Sequence, residues 1–189
     1  MAKMNSFEKF FVNHRLQYYL HKWFGFGKFL KKLPSMSYQR ILEIGAGVGF
    51  TSELIADKYP TAQIIATDFD EESVSVAKGT HHLKNVTFRQ EDAAMLSFPS
   101  AYFDAAFSVL TLHHISNYPS AVGELARVLK PGGALYIMDL STKSYSFLHL
   151  GYIPGVFNKT DIVDLLKEHG FSVKDRGGHY AFYLEAIKS

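Results

Sequence analysis

The sequence predicts an α/β domain, a mostly parallel sheet with helices on both faces. Three observations carry this. A strand-like run, Ile41 to Ile44, enters a turn with glycines at 45, 47 and 49, and a helical stretch, Thr51 to Lys58, follows directly. Short apolar runs then alternate with helical patterns as far as Asp139, the alternation of a parallel sheet with right-handed crossovers. Two extended runs around Gly177-Gly178 close the chain as an antiparallel hairpin.

The elements follow in order. Residues 1–38 are dense in aromatics, and Phe7, Phe10, Phe11, His14 and Tyr18 recur at helical spacing. Gly25 and Gly27 interrupt the pattern, and Leu33-Pro34-Ser35 ends it. This reads as an N-terminal helical segment that either packs on the body or covers a substrate pocket as a lid. A basic, aromatic helix also suits a peripheral contact with a membrane surface. Residues 39–189 form the main domain. Ala62 to Thr67 makes the second strand, ending at Asp68, and Asp70 stands as N-cap of a helix from Glu71 to Lys78. Val86 to Arg89 is the third strand. The apolar run Phe103 to Leu112 reads as a fourth, buried on both faces. Asn117-Tyr118-Pro119 opens a helix with Leu125, Val128 and Leu129 on its apolar side. Lys130-Pro131-Gly132-Gly133 then turns into the strand Ala134 to Asp139. Residues 141–157 show no regular pattern, and a connection of that length is usually functional. Asn158 and Asp161 resemble a capping box for a helix to His169, stopped by Gly170. Phe171 to Arg176 and His179 to Ile187 supply the hairpin.

Composition narrows the function. No apolar run approaches the ~20 residues of a membrane helix, and the first residues lack a secretory pattern, so a cytoplasmic protein is expected. Zero cysteines exclude disulfides, thiolate metal sites and a cysteine nucleophile. Residues 1–38 carry seven Lys/Arg against one Glu, whereas the remainder carries thirteen against seventeen Asp/Glu. A mildly acidic body argues against a nucleic-acid surface.

The glycine turn carries the chemistry. Glycines there let the backbone approach a ligand, and the helix that follows offers unpaired N–H groups. A dinucleotide turn needs glycine at position 50, which is Phe50. Taken alone, the turn suits S-adenosylmethionine (SAM), a dinucleotide or plain tight packing. The pattern Glu43-x-Gly45-x-Gly47-x-Gly49, with Asp68-Phe69 after the second strand, Asp92-Ala93 after the third and Leu129-x-Pro131-Gly132-Gly133 before the fifth, resembles the class I SAM-dependent methyltransferases, in their small-molecule branch.

That resemblance implies a three-layer, Rossmann-like fold with a seven-stranded, mostly parallel sheet closed by the antiparallel C-terminal hairpin. It implies SAM as cofactor, with S-adenosylhomocysteine as product. Glu43, Gly45, Ala46, Gly47 and Gly49 then belong to the cofactor turn. Asp68 accepts from the ribose hydroxyls, Phe69 packs on adenine, Asp92 and Ala93 meet the adenine edge, and Ser108 at the fourth strand end completes the set. The acceptor is expected to be a small, partly apolar or aromatic molecule. The alternative is a non-catalytic SAM-binding subunit acting through a partner protein. A nicotinamide oxidoreductase is disfavoured by Phe50 and by the lack of a Tyr-x-x-x-Lys dyad.

Methyl transfer needs alignment and, for a hydroxyl acceptor, removal of a proton. His113 and His114 follow the fourth strand and are the candidate bases; His114 is favoured, with His113 packing elsewhere. His149 and Tyr152 are reserves. His81-His82 read as exposed, and neither histidine pair has partners at metal-binding spacing, so no metal site is expected.

Overall fold

The computed structural model of the chain describes residues 25–33, 35–140, 157–178 and 181–189. Seven strands make one sheet in the order β3-β2-β1-β4-β5-β7-β6. They are β1 (Arg40–Ile44), β2 (Gln63–Asp68), β3 (Val86–Gln90), β4 (Phe103–Val109), β5 (Leu129–Leu140), β6 (Phe171–Asp175) and β7 (Ala181–Lys188). The β3-β2-β1-β4-β5 pairings are all parallel, and β7 pairs antiparallel with both β5 and β6. Helices α1 (Phe26–Lys32), α2 (Phe50–Lys58), α3 (Glu71–Thr80), α4 (Tyr118–Val128) and α5 (Lys159–Glu168) cover both faces. The predicted fold class is the observed one.

Strand residues alternate between two cores because successive side chains point to opposite faces. Ile41, Ile64, Phe107 and Tyr136 pack with Phe26, Phe29 and Leu30 of α1, Leu54 and Ile55 of α2 and Tyr59 at its C-cap. Leu42, Ile44, Ala106, Leu135 and Ile137 pack on the other face with Ala121, Val122 and Leu125 of α4 and Ile162 and Leu166 of α5. Central strands buried on both faces need continuous apolar runs, which is how they read in the sequence. The capping box at Asn158 and Asp161 forms with both of its bonds.

Three expectations change. The fourth strand ends at Val109, not Leu112, because Leu110 turns into left-handed backbone with φ +53°. A short 3₁₀ turn, Leu112–His114, follows. Pro131-Gly132-Gly133 does not stand outside the fifth strand: β5 begins at Leu129, and its register against β4 shifts between the Phe103 and Ala105 pairings. His81 is not exposed; its side chain is 8% accessible. The ring swings inward from the C-cap of α3 to sit between Phe50 and Phe88.

The part of the N-terminal segment from Gly25 to Leu33 includes helix α1, which presses Phe26 edge-on against Phe107, with ring centroids 6.1 Å apart. Residues 1–24 and 141–156 lie outside the described residues, and with them the lid and membrane-contact readings and the reserve bases His149 and Tyr152.

Candidate functional site

Parallel strands joined by helices put the loops that follow β1 to β5 on one edge, and ligands of such sheets bind there. The glycine turn leaves β1 at that edge. Gly45, Gly47 and Gly49 all have positive φ, at +67°, +53° and +93°. A Cβ on Gly45 would stand 2.2 Å from the Thr111 side chain, so only glycine fits beside the turn after β4. Gly47 has the same left-handed backbone but open space where its Cβ would be. Backbone there can approach a ligand directly. Ala46 ties the turn to β2 through its N–H, which donates to the Thr67 carbonyl at 2.9 Å.

Glu43 lies beneath this turn and is 1% exposed. Its carboxylate accepts hydrogen bonds from the hydroxyls of Thr51 and Ser52, the latter at 2.5 Å. Burial pushes the Glu43 carboxyl up to about 7, against the pull of those two hydroxyls; the charge of Asp68 adds to the rise. With both oxygens engaged, Glu43 ties β1 to the first turn of α2.

Asp68 ends β2. Its Oδ2 accepts the Gly47 N–H at 2.8 Å, and Oδ1 accepts the Asp70 N–H at 2.9 Å. Burial raises its pKa, opposed by these N–H groups. The carboxylate therefore links the glycine turn to the β2 end and remains half-buried at the edge. Phe69 is half-buried beside it. Beyond β3, Asp92 turns the chain tightly: its Oδ1 accepts the Ala94 N–H at 2.9 Å, and its carbonyl accepts the Met95 N–H at 2.9 Å. Ala93 is buried within that turn.

Past β4 the histidines occupy the 3₁₀ turn. Their rings lie 3.9 Å apart. His113 is buried, and its Nδ1 lies 2.5 Å from Oδ1 of Asp139, near the end of β5. Asp139 is 0% exposed; its Oδ1 also accepts the Leu140 N–H, while Oδ2 is buried without a hydrogen-bond partner. The Ser108 hydroxyl, on the neighbouring strand, is likewise buried and unpartnered. His114 is half-buried.

Among the described residues, those expected at the site all fall near or just after a strand end on this one edge. Asp139 and Thr111 join them there, and the sequence points to neither. The only sequence hint for Asp139 is an acid closing an apolar strand. Clefts of about 250 and 440 Å³, both lined by Ser37, Tyr38 and Thr61, open at the opposite edge, where β1 and β2 begin, and play no part in this site. Among the described residues no cluster of His, Asp or Glu is arranged to hold a metal ion, and no helix is long and apolar enough to cross a membrane.

The family described as methyltransferase domain matches residues 42–137, about half of the chain. A demethylmenaquinone methyltransferase of Thermus thermophilus is 31% identical over 112 residues, 58% of this chain and 49% of that protein. A malonyl-[acyl-carrier protein] O-methyltransferase of Bacillus cytotoxicus is 32% identical over 122 residues, 65% of this chain and 42% of that protein. The chain thus spans about half the length of these relatives. The crystal structure of a SAM-dependent methyltransferase from Aquifex aeolicus superposes with a TM-score of 0.79 at 23% identity, covering 99% of this chain and all of that one. The family match starts in β1 and ends in β5, so it takes in the loops that follow β1 to β4, and the chain belongs to the methyltransferase domain family.

Proposed function

We propose that this chain binds SAM across the carboxyl ends of β1 to β4 and transfers its methyl group to a small, partly apolar acceptor. The observation that carries the reading is the junction of Gly47 and Asp68: an open left-handed glycine whose N–H is fixed by a half-buried carboxylate on the next strand. Such a carboxylate keeps acceptor capacity for two vicinal hydroxyls, and the α2 N-terminus beside it suits an anionic group.

When bound, SAM supplies a methyl carbon on a sulfonium leaving group. The chain's own groups do the rest. Asp68 and Asp92 fix the two ends of the nucleoside, and the α2 N-terminus takes the carboxylate of the amino-acid tail. Ser108 and the turn at Leu110 to His114 border the acceptor side.

Where the acceptor atom is a hydroxyl, its proton must leave as the methyl arrives. His113 is the better-supported base of the histidine pair, because Asp139 holds its Nδ1–H and so leaves the lone pair on Nε2. The His114 ring lies tilted against it.

Titration calorimetry with SAM, S-adenosylhomocysteine and NAD tests the cofactor reading. Micromolar binding of the first two and none of the third is expected; binding of NAD alone would overturn it.

A further inference from the structure

The buried imidazole of His81 has no part in the chemistry above, yet it touches the cofactor turn. Its Cδ2 lies 2.8 Å from where a Cβ on Gly49 would stand, with the Phe88 ring at 3.0 Å from the same point. Gly49 is the N-cap of α2, in left-handed backbone. The ring meets Phe50, the first residue of α2, edge-on at 5.9 Å, and lies 6.3 Å from Phe88. Its Nδ1 is 3.7 Å from the carboxylate of Glu53, in the first turn of the same helix, while Nε2 is buried without a hydrogen-bond partner. A polar ring is thus packed among apolar groups with one nitrogen unsatisfied, a costly arrangement for a site with no task.

We propose that His81 is a positioning residue for the amino-acid end of the cofactor. Resting on the SAM-binding reading above, it works through Gly49 and Phe50. By filling the space behind the turn, the ring sets where the first N–H groups of α2 point. Those groups are the ones that receive a carboxylate. The contact to Glu53 holds that side chain toward the imidazole, away from the helix N-terminus, where it would compete as an anion for the same N–H groups. The nucleoside end is held by other elements, at the ends of β2 and β3, and does not depend on His81. The ring therefore governs one part of the ligand and not the other.

Two probes separate these parts. S-adenosylhomocysteine carries the amino-acid tail, and 5′-methylthioadenosine has the same nucleoside and sulfur without it. Calorimetric Kd values are measured for both on the parent chain, on H81A and on H81L, with thermal melting to check the fold. H81A should weaken S-adenosylhomocysteine at least tenfold while 5′-methylthioadenosine stays within twofold. H81L refills most of the space and should lose less, about threefold, with the same selectivity. If H81A does not fold, the selectivity in H81L decides alone. Equal weakening of both ligands, or no weakening of either, overturns the positioning role. A parent chain that binds neither ligand overturns the SAM-binding reading itself.

Discussion

His113 and Asp139 meet across the carboxyl ends of β4 and β5, with Nδ1 and Oδ1 2.5 Å apart and the carboxylate wholly buried. They are 26 residues apart in the chain, and the parallel pairing of Val109 with Met138 brings them together. A carboxylate in that position fixes the tautomer and orientation of the ring.

The pair makes a graded prediction for turnover of a hydroxyl acceptor. H113A should lower kcat by roughly 10²–10⁴-fold, the span of a lost general base. D139N leaves the ring in place but removes the carboxylate that orients it, so it should lower kcat substantially while leaving the SAM affinity unchanged. H114A should cost only a few fold. Steady-state rates with a hydroxylated acceptor found by screening decide this. Equal, mild effects in H113A and H114A would mean that alignment alone drives transfer.

Asp68 gives a prediction on binding alone. Replacing it with Ala removes the acceptor for ribose hydroxyls and also frees the Gly47 N–H that now donates to Oδ2. The cost should be about 1–3 kcal/mol, or tenfold to a hundredfold in SAM affinity. Calorimetry reads it directly. Unchanged affinity in D68A would remove that residue from the site.

What can be read in the sequence is what is local. The glycine turn, Asp68 closing β2 and the Asn158–Asp161 capping box each declare themselves within a few residues, since a turn or a cap needs particular residue types at fixed spacing. The His113–Asp139 contact depends on which strands become neighbours and in what register, and no local pattern records that. Leu110 is a different case. A leucine in left-handed backbone has no signature, since the residue type argues against the conformation, and the expected strand runs too long for that reason. His81 escapes a local reading because two histidines between a helix and a strand look like an exposed loop. The C-cap geometry of α3 turns one ring under Gly49 and leaves His82 in solvent.

Helix α1 belongs to the folded core. Phe26 is 0% exposed, and Phe29 packs on both Tyr136 and Tyr183 with centroids 6.3 and 5.1 Å away. Phe29→Ala should cost about 3–5 kcal/mol of stability, and truncation through residue 33 should cost more than truncation through residue 24. Urea unfolding of the two truncated chains separates them. Equal midpoints would show that α1 contributes nothing to the fold.

Glu43 ties stability to pH with a definite sign. Its carboxyl is raised from 4.5 to about 7, chiefly by burial. Below pH 4.5 the group is protonated in folded and unfolded chains alike, and its contribution is fully present. Between 4.5 and 7 the unfolded chain releases the proton while the folded chain keeps it, so stability is lost as pH rises. Above 7 both forms are ionised and the loss is complete. The ceiling on this loss is about 3 kcal/mol, since a tenfold difference in proton affinity between the two states is worth about 1.4 kcal/mol. E43Q cannot titrate, yet its amide oxygen still accepts from the Thr51 or Ser52 hydroxyl. The stability of the parent relative to E43Q should therefore fall as pH rises from 4.5 to 7.5 and stay level beyond. Urea unfolding of both chains at four or five pH values gives that difference, with the titration of groups not coupled to Glu43 cancelling between them. A difference that is flat with pH, or that rises, would mean the buried carboxyl under the glycine turn is not held in its neutral form.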